Sequence, residues 1–143
     1  MTAPAFQICI DAADPHLLNR FWAAATGYEV EDHHDGILEI IDAGYATRDD
    51  TIEIDGRLAW KTAAASRDPD GTGPRLLFQQ VPEGKTVKNR VHLDLQRRLD
   101  DEARDTEVER LIGLGATRLW DGEQGPHHWV TMADPEGNEF CVS

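Results

Sequence analysis

Two pairs of polar side chains carry most of the chemistry that this sequence offers. His92 and Asp94 alternate with apolar neighbours in the segment 90–96, and Glu139 and Cys141 alternate in the same way near the C-terminal end. Residues two apart on a strand point to the same face of a sheet. Because imidazole titrates near neutral pH, we predict that His92 acts as a general base or acid with Glu139 as its partner. A hydrogen-bonded structural histidine and a surface glutamate are the alternative interpretations.

The cysteines and the adjacent histidines are weaker candidates. Cys9 and Cys141 are the two cysteines, and each lies in an apolar, strand-like run, which is typical of reduced, half-buried thiols. A nucleophilic role requires a neighbouring base that lowers the thiol pKa, and the sequence identifies none. The His-His pairs at 33–34 and 127–128 are not natural chelates, since adjacent side chains on an extended strand point in opposite directions.

A β–α–β pattern that would position these side chains begins near the N-terminus. Residues 6–11 alternate apolar and polar side chains, as in a strand with one buried face. Asp14 followed by Pro15 is typical of a helix N-terminus, and Gly27 is typical of a helix C-terminus. Apolar residues recur between them at helical spacing and predict one buried stripe, formed by Leu17, Leu18, Phe21, Trp22 and Ala25.

The same pattern recurs from residue 90 onwards. The predicted strand 90–96 has an apolar face formed by Val91, Leu93 and Leu95. Acidic residues from Asp100 predict a helix start, and Gly113 and Gly115 predict its end. An Asp-Pro-Glu-Gly-Asn sequence at 134–138 predicts a tight turn between two final strands.

This repetition predicts an α+β fold in which two tandem βαβββ modules form a cupped, mostly antiparallel sheet with helices on the outside. We assign a single domain at 1–143, with module one at 1–83 and module two at 84–143. About 70 residues rarely hold a stable core alone, so the modules are expected to fold as one unit. The segment 33–56 has no counterpart in module two and is predicted to be an insertion with a short helix near 37–41.

The charge of the chain excludes several classes of partner. Acidic residues number 27 against 14 basic ones, for a net charge of −13, whereas nucleic acids and anionic membranes require a basic face. No stretch approaches the roughly 18 apolar residues that span a bilayer, and no basic secretory leader is visible. We therefore predict a cytoplasmic protein that binds neither nucleic acid nor a membrane; a small-molecule ligand is expected in the cup of the predicted sheet. A homodimer is also expected, because sheets of this type expose edges.

The sequence motifs resemble the vicinal-oxygen-chelate superfamily, and more closely its glyoxalase-like, bleomycin-resistance-like members. The resembling segments span nearly the whole chain apart from the insertion, at 10–15, 21–28, 78–83, 88–94 and 133–140. The resemblance implies the two-module fold and, in the enzymes, a divalent metal held by the first and last strands of each module. Those positions fall on Gln7, Gln79, His92 and Cys141, with Phe78 or Gln80 as alternatives to Gln79.

The metal site that the resemblance implies is altered in this sequence. The metal-dependent relatives place carboxylates where this chain has Gln79 and Cys141. A hard octahedral ion prefers anionic oxygen ligands, and these four side chains supply at most one anion. We therefore predict no metal ligands and no cofactor. A divalent metal held by Gln7, His92 and either Glu139 or Cys141 is the alternative.

Three functions remain as hypotheses, because this fold hosts many activities. The first is a metal-independent protein that sequesters an aromatic natural product or antibiotic; its predicted ligand-binding residues are Gln7, Trp60, Phe78, Gln79, Asp94, Trp120, Trp129 and Cys141. Ordinary core packing is the alternative for each aromatic ring. The second is a lyase or isomerase that acts next to a carbonyl with His92 as the base. The third is an interaction module that docks through an exposed apolar patch at 37–41 of the insertion.

Overall fold

The computed structural model describes residues 2–95 and 98–143. Residue 96, the end of the predicted strand 90–96, lies outside the described residues. The elements within these ranges confirm the α+β class: β1 (Gln7–Ala12), α1 (Pro15–Thr26), β2 (Glu29–Val30), α2 (His34–Asp42), a 3-10 helix (Arg48–Asp50), β3 (Thr51–Ile54), β4 (Arg57–Trp60), β5 (Ala63–Arg67), β6 (Arg75–Gln80), β7 (Asp94–Leu95), α3 (Asp101–Leu114), β8 (Thr117–Gln124), β9 (His127–Ala133) and β10 (Glu139–Val142). None of the described helices has the length and apolar character needed to cross a membrane.

Two four-stranded sheets share the same strand order. The first sheet runs β1-β6-β5-β2, and the second runs β7-β10-β9-β8. β1 is parallel to its neighbour β6 in the first sheet, and β7 is parallel to its neighbour β10 in the second. The other neighbouring strands are antiparallel. This recurrence is the order expected of two βαβββ units. The insertion predicted at 33–56 extends to Trp60, because β4 pairs with β3 and not with the four-stranded sheet; between β2 and β5 it contains α2, the 3-10 helix and the β3–β4 hairpin.

Side chains from both sheets and both long helices form one core cluster. The rings of Phe21 and Trp22 in α1 lie against Phe140 of β10, with centroids 6.1 and 5.0 Å apart. Val108 and Leu111 of α3 are fully buried in the same cluster. Packing shared in this way favours the prediction that the two modules fold as one unit.

The predicted ends of α1 are confirmed. The carboxylate of Asp14 accepts the backbone N–H of Leu17 at 3.1 Å, and Gly27 ends the helix in the left-handed region with φ 80°. The Leu17 side chain was predicted to be buried but is 41% exposed, since it lies at the edge of the stripe. In the second module Gly115 ends α3, whereas Gly113 lies inside the helix.

The predicted strand 90–96 is shorter than expected, and the segment 58–64 belongs to two different strands. Within the described part of the segment predicted at 90–96, the strand is reduced to β7, because β10 is in register there with Asp94 and Leu95 and not with residues 90–93. The backbone N–H of Cys141 still donates to the carbonyl of Leu93. Val91, which was predicted to lie on the buried face, is 82% exposed. The segment 58–64 is divided between β4, which pairs with β3, and β5, which pairs with β6.

The turn between β9 and β10 connects the two modules. Asp134 is only 3% exposed, and its carboxylate accepts the indole N–H of Trp22 at 3.0 Å. Glu136 reaches the start of α1, where its carboxylate accepts the backbone N–H groups of Ala13 and Asp14 at 2.7 and 2.9 Å. The motif predicted as a tight turn is therefore also a contact between the modules.

The insertion packs inward through part of the segment that was predicted to be an exposed patch. Ile37 is fully buried, while Leu38 and Ile40 are each 38% exposed. His34 accepts the backbone N–H of Leu58 at 2.9 Å, which holds α2 against β4. An apolar docking patch that includes Ile37 is thus wrong, because that side chain is already covered.

Candidate ligand-binding site

The larger cavity, about 900 Å³, lies on the second module. Glu139 and Cys141 line it and alternate along β10 with Phe140 and Val142, which are buried in the core. The strand therefore presents its polar side chains to the cavity and its apolar ones to the helices. The cavity wall combines titratable groups with aromatic rings, namely His92, Asp94, Glu139, Cys141, Trp120 and Trp129.

A polar cluster formed by His92, Asp94 and Cys141 lies at this wall. Asp94 is in register with Cys141 because β7 runs parallel to β10. The Nδ1 atom of His92 is 3.2 Å from Oδ1 of Asp94, as the same-face spacing predicts. One ligand atom from each of the three residues lies within 4.8 Å of the others. The hydroxyl of Thr131 contacts the sulfur of Cys141 at 3.5 Å from the neighbouring strand.

The thiol of Cys141 is held in its neutral form. Burial raises its pKa most; the hydrogen bond with the Thr131 hydroxyl partly offsets this, and the negative charge of Asp94 raises the pKa further. A protonated thiol is a poor nucleophile. This environment agrees with the interpretation of Cys141 as an inert thiol in the absence of a bound ion.

The two cysteines are both free, and we expect them to react with iodoacetamide at clearly different rates. Cys9 is exposed on β1, although it was predicted to be half-buried, whereas Cys141 is partly buried and has a raised pKa. Alkylation of Cys9 should therefore be at least several-fold faster at neutral pH. Peptide mass spectrometry of a time course measures both rates, and a Cys9→Ser variant checks the assignment. Equal rates would show that the cavity leaves Cys141 fully accessible.

Glu139 is engaged by the loop that precedes β7. Its carboxylate accepts the backbone N–H of Asn89 at 2.8 Å and pairs with the ammonium of Lys85 at 2.9 Å. Burial opposes ionisation of Glu139, but these two partners together keep its pKa below the usual range. A carboxylate that is ionised at neutral pH accepts a proton rather than donating one, and Glu139 lines the cavity beside His92, its predicted acid–base partner.

Trp129 forms a flat part of the cavity wall because its cross-strand neighbour has no side chain. Gly122 is paired with Trp129 in the β8–β9 register, and a Cβ atom at Gly122 would overlap the indole ring. Trp120 lies in register with Thr131 after a bulge in β8 and is 48% exposed. The prediction that both tryptophans belong to one pocket agrees with this arrangement.

Gln7 is engaged by a charged pair in the first module. Its amide oxygen accepts Nη1 of Arg75 at 3.1 Å, and the rest of that guanidinium binds Glu31 at 2.6 and 2.9 Å. Hydrogen bonding from Arg75 lowers the pKa of Glu31 despite its burial. A guanidinium at this distance repels a metal ion that would use the same oxygen. The ligand set that the superfamily resemblance implies, which spans both modules, therefore does not fit here.

Three further residues predicted to bind ligand lie outside the cavities. Phe78 is fully buried in the core, so its predicted ligand contact is wrong; its side chain faces the helices while Gln79 faces the other side of β6. Trp60 lies on β4 of the insertion, where its carbonyl contacts Nε2 of His16 at 2.7 Å. Gln7, Gln79 and Trp60 line neither cavity described here.

Several lining residues were missed by the sequence interpretation. The first turn of α3 and the residues just before it line the cavity with Arg98, Leu99 and Arg104. No local sequence pattern indicates this placement. His127 and His128 also line it, because they are the first two residues of β9 and lie at the cavity edge. The signal that could have located them is the Gly125 turn, which favours a hairpin between β8 and β9.

A smaller cavity of about 340 Å³ lies between β1 and the segment 89–93. Cys9 and Asp11 line it from the first module, and Asn89 from the second. His92 and Glu139 line both cavities, so the two spaces adjoin at these side chains. The first module therefore meets the candidate site along β1.

Comparison with known proteins is informative at the level of family and fold. The family model described as a glyoxalase-like domain matches residues 7–143. Among curated proteins, none matches the chain. A solved glyoxalase/bleomycin resistance protein/dioxygenase family enzyme from Burkholderia phytofirmans PsJN is 18% identical, with 98% of this chain and 97% of that chain covered and a TM-score of 0.63.

Two further solved structures are similar in fold. One is a mutant of the fosfomycin resistance protein FosX from Listeria monocytogenes, complexed with Mn(II) and a dihydroxypropylphosphonic acid; it is 13% identical over 99% of this chain and 90% of that chain, with a TM-score of 0.60. The other is an oxidase that is 14% identical over 99% and 93% of the two chains, with a TM-score of 0.56. Identities this low establish a shared fold alone.

Proposed function

Because the chain belongs to the glyoxalase-like domain family, we propose that it binds a small organic molecule in the larger cavity. The observation that carries this proposal is the wall formed by Trp120 and Trp129 beside the polar cluster. Binding sites for organic molecules typically combine apolar rings with a few orienting polar groups. An aromatic natural product or antibiotic suits such a wall, and the fold neighbours include an antibiotic resistance protein.

We propose further that this binding needs no metal ion. The proposal is supported by the position of Arg75, whose guanidinium takes the amide oxygen of Gln7. It is also supported by the wall itself, because stacking on indole rings depends on apolar contact rather than on coordination. The Mn(II) in the FosX structure belongs to that protein and its own ligands. Dialysis against a chelator is therefore expected to leave ligand affinity unchanged.

The proposal is tested by tryptophan fluorescence with a panel of planar aromatic compounds. Some members of the panel should quench the fluorescence, and Trp129→Ala should weaken their binding by about tenfold or more, because a lost aromatic stack costs roughly 1 kcal/mol in addition to the buried area. Trp60→Phe is the matched control, since Trp60 lines neither cavity. The proposal fails if no compound binds, or if the control weakens binding as much as Trp129→Ala.

Catalysis is the second candidate function, as a lyase or isomerase with His92 as the base. The favouring observation is the contact between Nδ1 of His92 and Asp94, since a carboxylate there orients the imidazole ring. Compounds from the panel that carry a carbonyl can be incubated in deuterated water and followed by NMR. We expect exchange of the proton next to the carbonyl, and its loss in His92→Gln with binding retained. Absence of exchange would leave a binding protein.

We also propose a cytoplasmic homodimer. The two free thiols suit a reducing compartment, and β8 is the outer strand of the second sheet with Leu119 39% exposed on it. An edge strand with exposed apolar side chains can pair with a second copy of the chain. Sedimentation analysis should show a dimer that Leu119→Glu converts to monomer, with Glu39→Lys on the insertion as a control. A monomer at all concentrations would exclude this pairing.

A further inference from the structure

The polar cluster of the cavity brings together three kinds of metal-binding atom. His92 supplies an imidazole nitrogen, Asp94 a carboxylate oxygen and Cys141 a sulfur, all within 4.8 Å of one another. Ligands at about 2.0–2.3 Å from a tetrahedral zinc ion lie about 3.3–3.8 Å apart, so inward shifts of roughly 1 Å would close the cluster on an ion. Asp94 and Cys141 already lie side by side on paired strands, so the required shift is small.

We propose that this cluster binds a divalent ion of the zinc class, which accepts thiolate, and that it does so with side chains of the second module alone. A sulfur ligand favours borderline ions such as Zn²⁺, Co²⁺ or Cd²⁺ over the hard ions Mn²⁺ and Mg²⁺. When the ion binds, the Cys141 S–H bond breaks, the sulfur becomes a thiolate ligand, and the proton is released to solvent. No change of oxidation state is involved.

Access to the cluster is open from the cavity. The side chains of His92 and Asp94 are 40% and 43% exposed, whereas Cys141 is more buried at the wall. Three protein ligands with one open position are typical of zinc sites that also bind a further small ligand. An ion at this position would lie on the same wall as Trp120 and Trp129.

The composition of the cluster differs from a ligand set shared between the modules. Gln7 is held by Arg75, and Glu139 is held by Lys85 and Asn89, so both are engaged elsewhere. Asp94 instead provides the anionic oxygen, at a position that the superfamily resemblance does not mark. This inference goes beyond the proposed function and shares only its cavity, since the aromatic wall is proposed to bind with or without an ion.

The experiment is a titration of the metal-free full-length chain with Co²⁺, followed by absorption spectroscopy. We expect a thiolate-to-cobalt charge-transfer band in the near ultraviolet and visible bands of four-coordinate Co²⁺. A stoichiometric amount of Zn²⁺ should displace both sets of bands, while excess Mn²⁺ should not. The Cys141→Ser variant should lose the charge-transfer band, and Asp94→Asn should bind Co²⁺ about tenfold more weakly or worse.

The second cysteine of the chain provides the matched control. Cys9→Ser should retain the full cobalt spectrum, because Cys9 lies on β1 and outside the cluster. If Cys141→Ser fails to fold, protection of Cys141 from iodoacetamide by Zn²⁺ in the unmodified protein replaces it. The proposal is overturned if the charge-transfer band is absent, if it persists in Cys141→Ser, or if Mn²⁺ displaces Co²⁺ as readily as Zn²⁺ does.

The two proposals for this cavity fail in different ways. Loss of the cobalt spectrum together with an intact fluorescence response to aromatic compounds would contradict only the ion site. A full cobalt spectrum with no response to any aromatic compound would contradict only the proposed binding function.

Discussion

The Asp134→Ala substitution is expected to lower the free energy of unfolding by about 3 kcal/mol or more. The Asp134 carboxylate is almost fully buried and accepts hydrogen bonds from Trp22, from the backbone of Glu136 and from both the backbone and side chain of Asn138, at 2.9–3.1 Å. Removing it leaves the indole N–H of Trp22 buried without its acceptor. It also removes one of the contacts between the β9–β10 turn and α1, leaving those that Glu136 makes.

Urea denaturation of the two proteins, followed by circular dichroism, measures this loss. Asp121→Ala is the control, because Asp121 is an exposed aspartate that pairs with Arg118 on β8, and exposed pairs contribute little. Trp22→Phe removes the same indole donor, so its effect and that of Asp134→Ala should be less than additive in the double variant. A loss below about 1 kcal/mol in Asp134→Ala would mean that water replaces the carboxylate without cost.

Replacement of Phe140 by alanine should cost about 4 kcal/mol, within the usual range for a buried phenylalanine. The Phe140 ring is 1% exposed and lies against Phe21 and Trp22 of the other module. Its removal creates a cavity at the contact between β10 and α1, because the surrounding backbone can collapse only in part. We expect both modules to lose stability together.

Two probes distinguish cooperative from separate unfolding of the modules. Far-ultraviolet circular dichroism reports on all helices and strands, and tryptophan fluorescence includes the buried Trp22. Their transitions should coincide in the unmodified chain and in Phe140→Ala, with the midpoint shifted to lower urea. Phe6→Ala is the control, since Phe6 is 70% exposed. Separate transitions for the two probes would contradict the single-domain prediction of 1–143.

Local structure was largely predictable from the sequence. Short sequence patterns predicted the helix cap at Asp14, the left-handed Gly27 and the turn at 134–138. Each of these features depends on groups only a few residues apart in the chain. The α+β class also followed, because alternation and helical spacing recur in a fixed order. The strand 90–96 was overestimated, since the alternation of its side chains does not say how many residues find a partner in β10.

The content of the candidate site was predictable only in part. The spacing of His92 and Asp94 indicated one face, and the two tryptophans of the second module were identified as lining residues. Phe78 was misassigned because adjacent residues of β6 point to opposite faces of the sheet. Phe78 points into the core, and Gln79 points to the other face. The partner of Gln7 could not be inferred, since Arg75 reaches it only through the parallel pairing of β1 with β6.

The two pairs of polar residues, His92 with Asp94 and Glu139 with Cys141, illustrate what the sequence determines and what only the tertiary structure determines. The sequence by itself determined that His92 and Asp94 share a face, and that Glu139 and Cys141 do, because alternation along a strand is local geometry. Only the tertiary structure decided which pairs meet: the register of β7 with β10 places Asp94 beside Cys141, and the loop before β7 donates a hydrogen bond to Glu139. Contacts between distant segments depend on strand register and loop path, which no local pattern specifies.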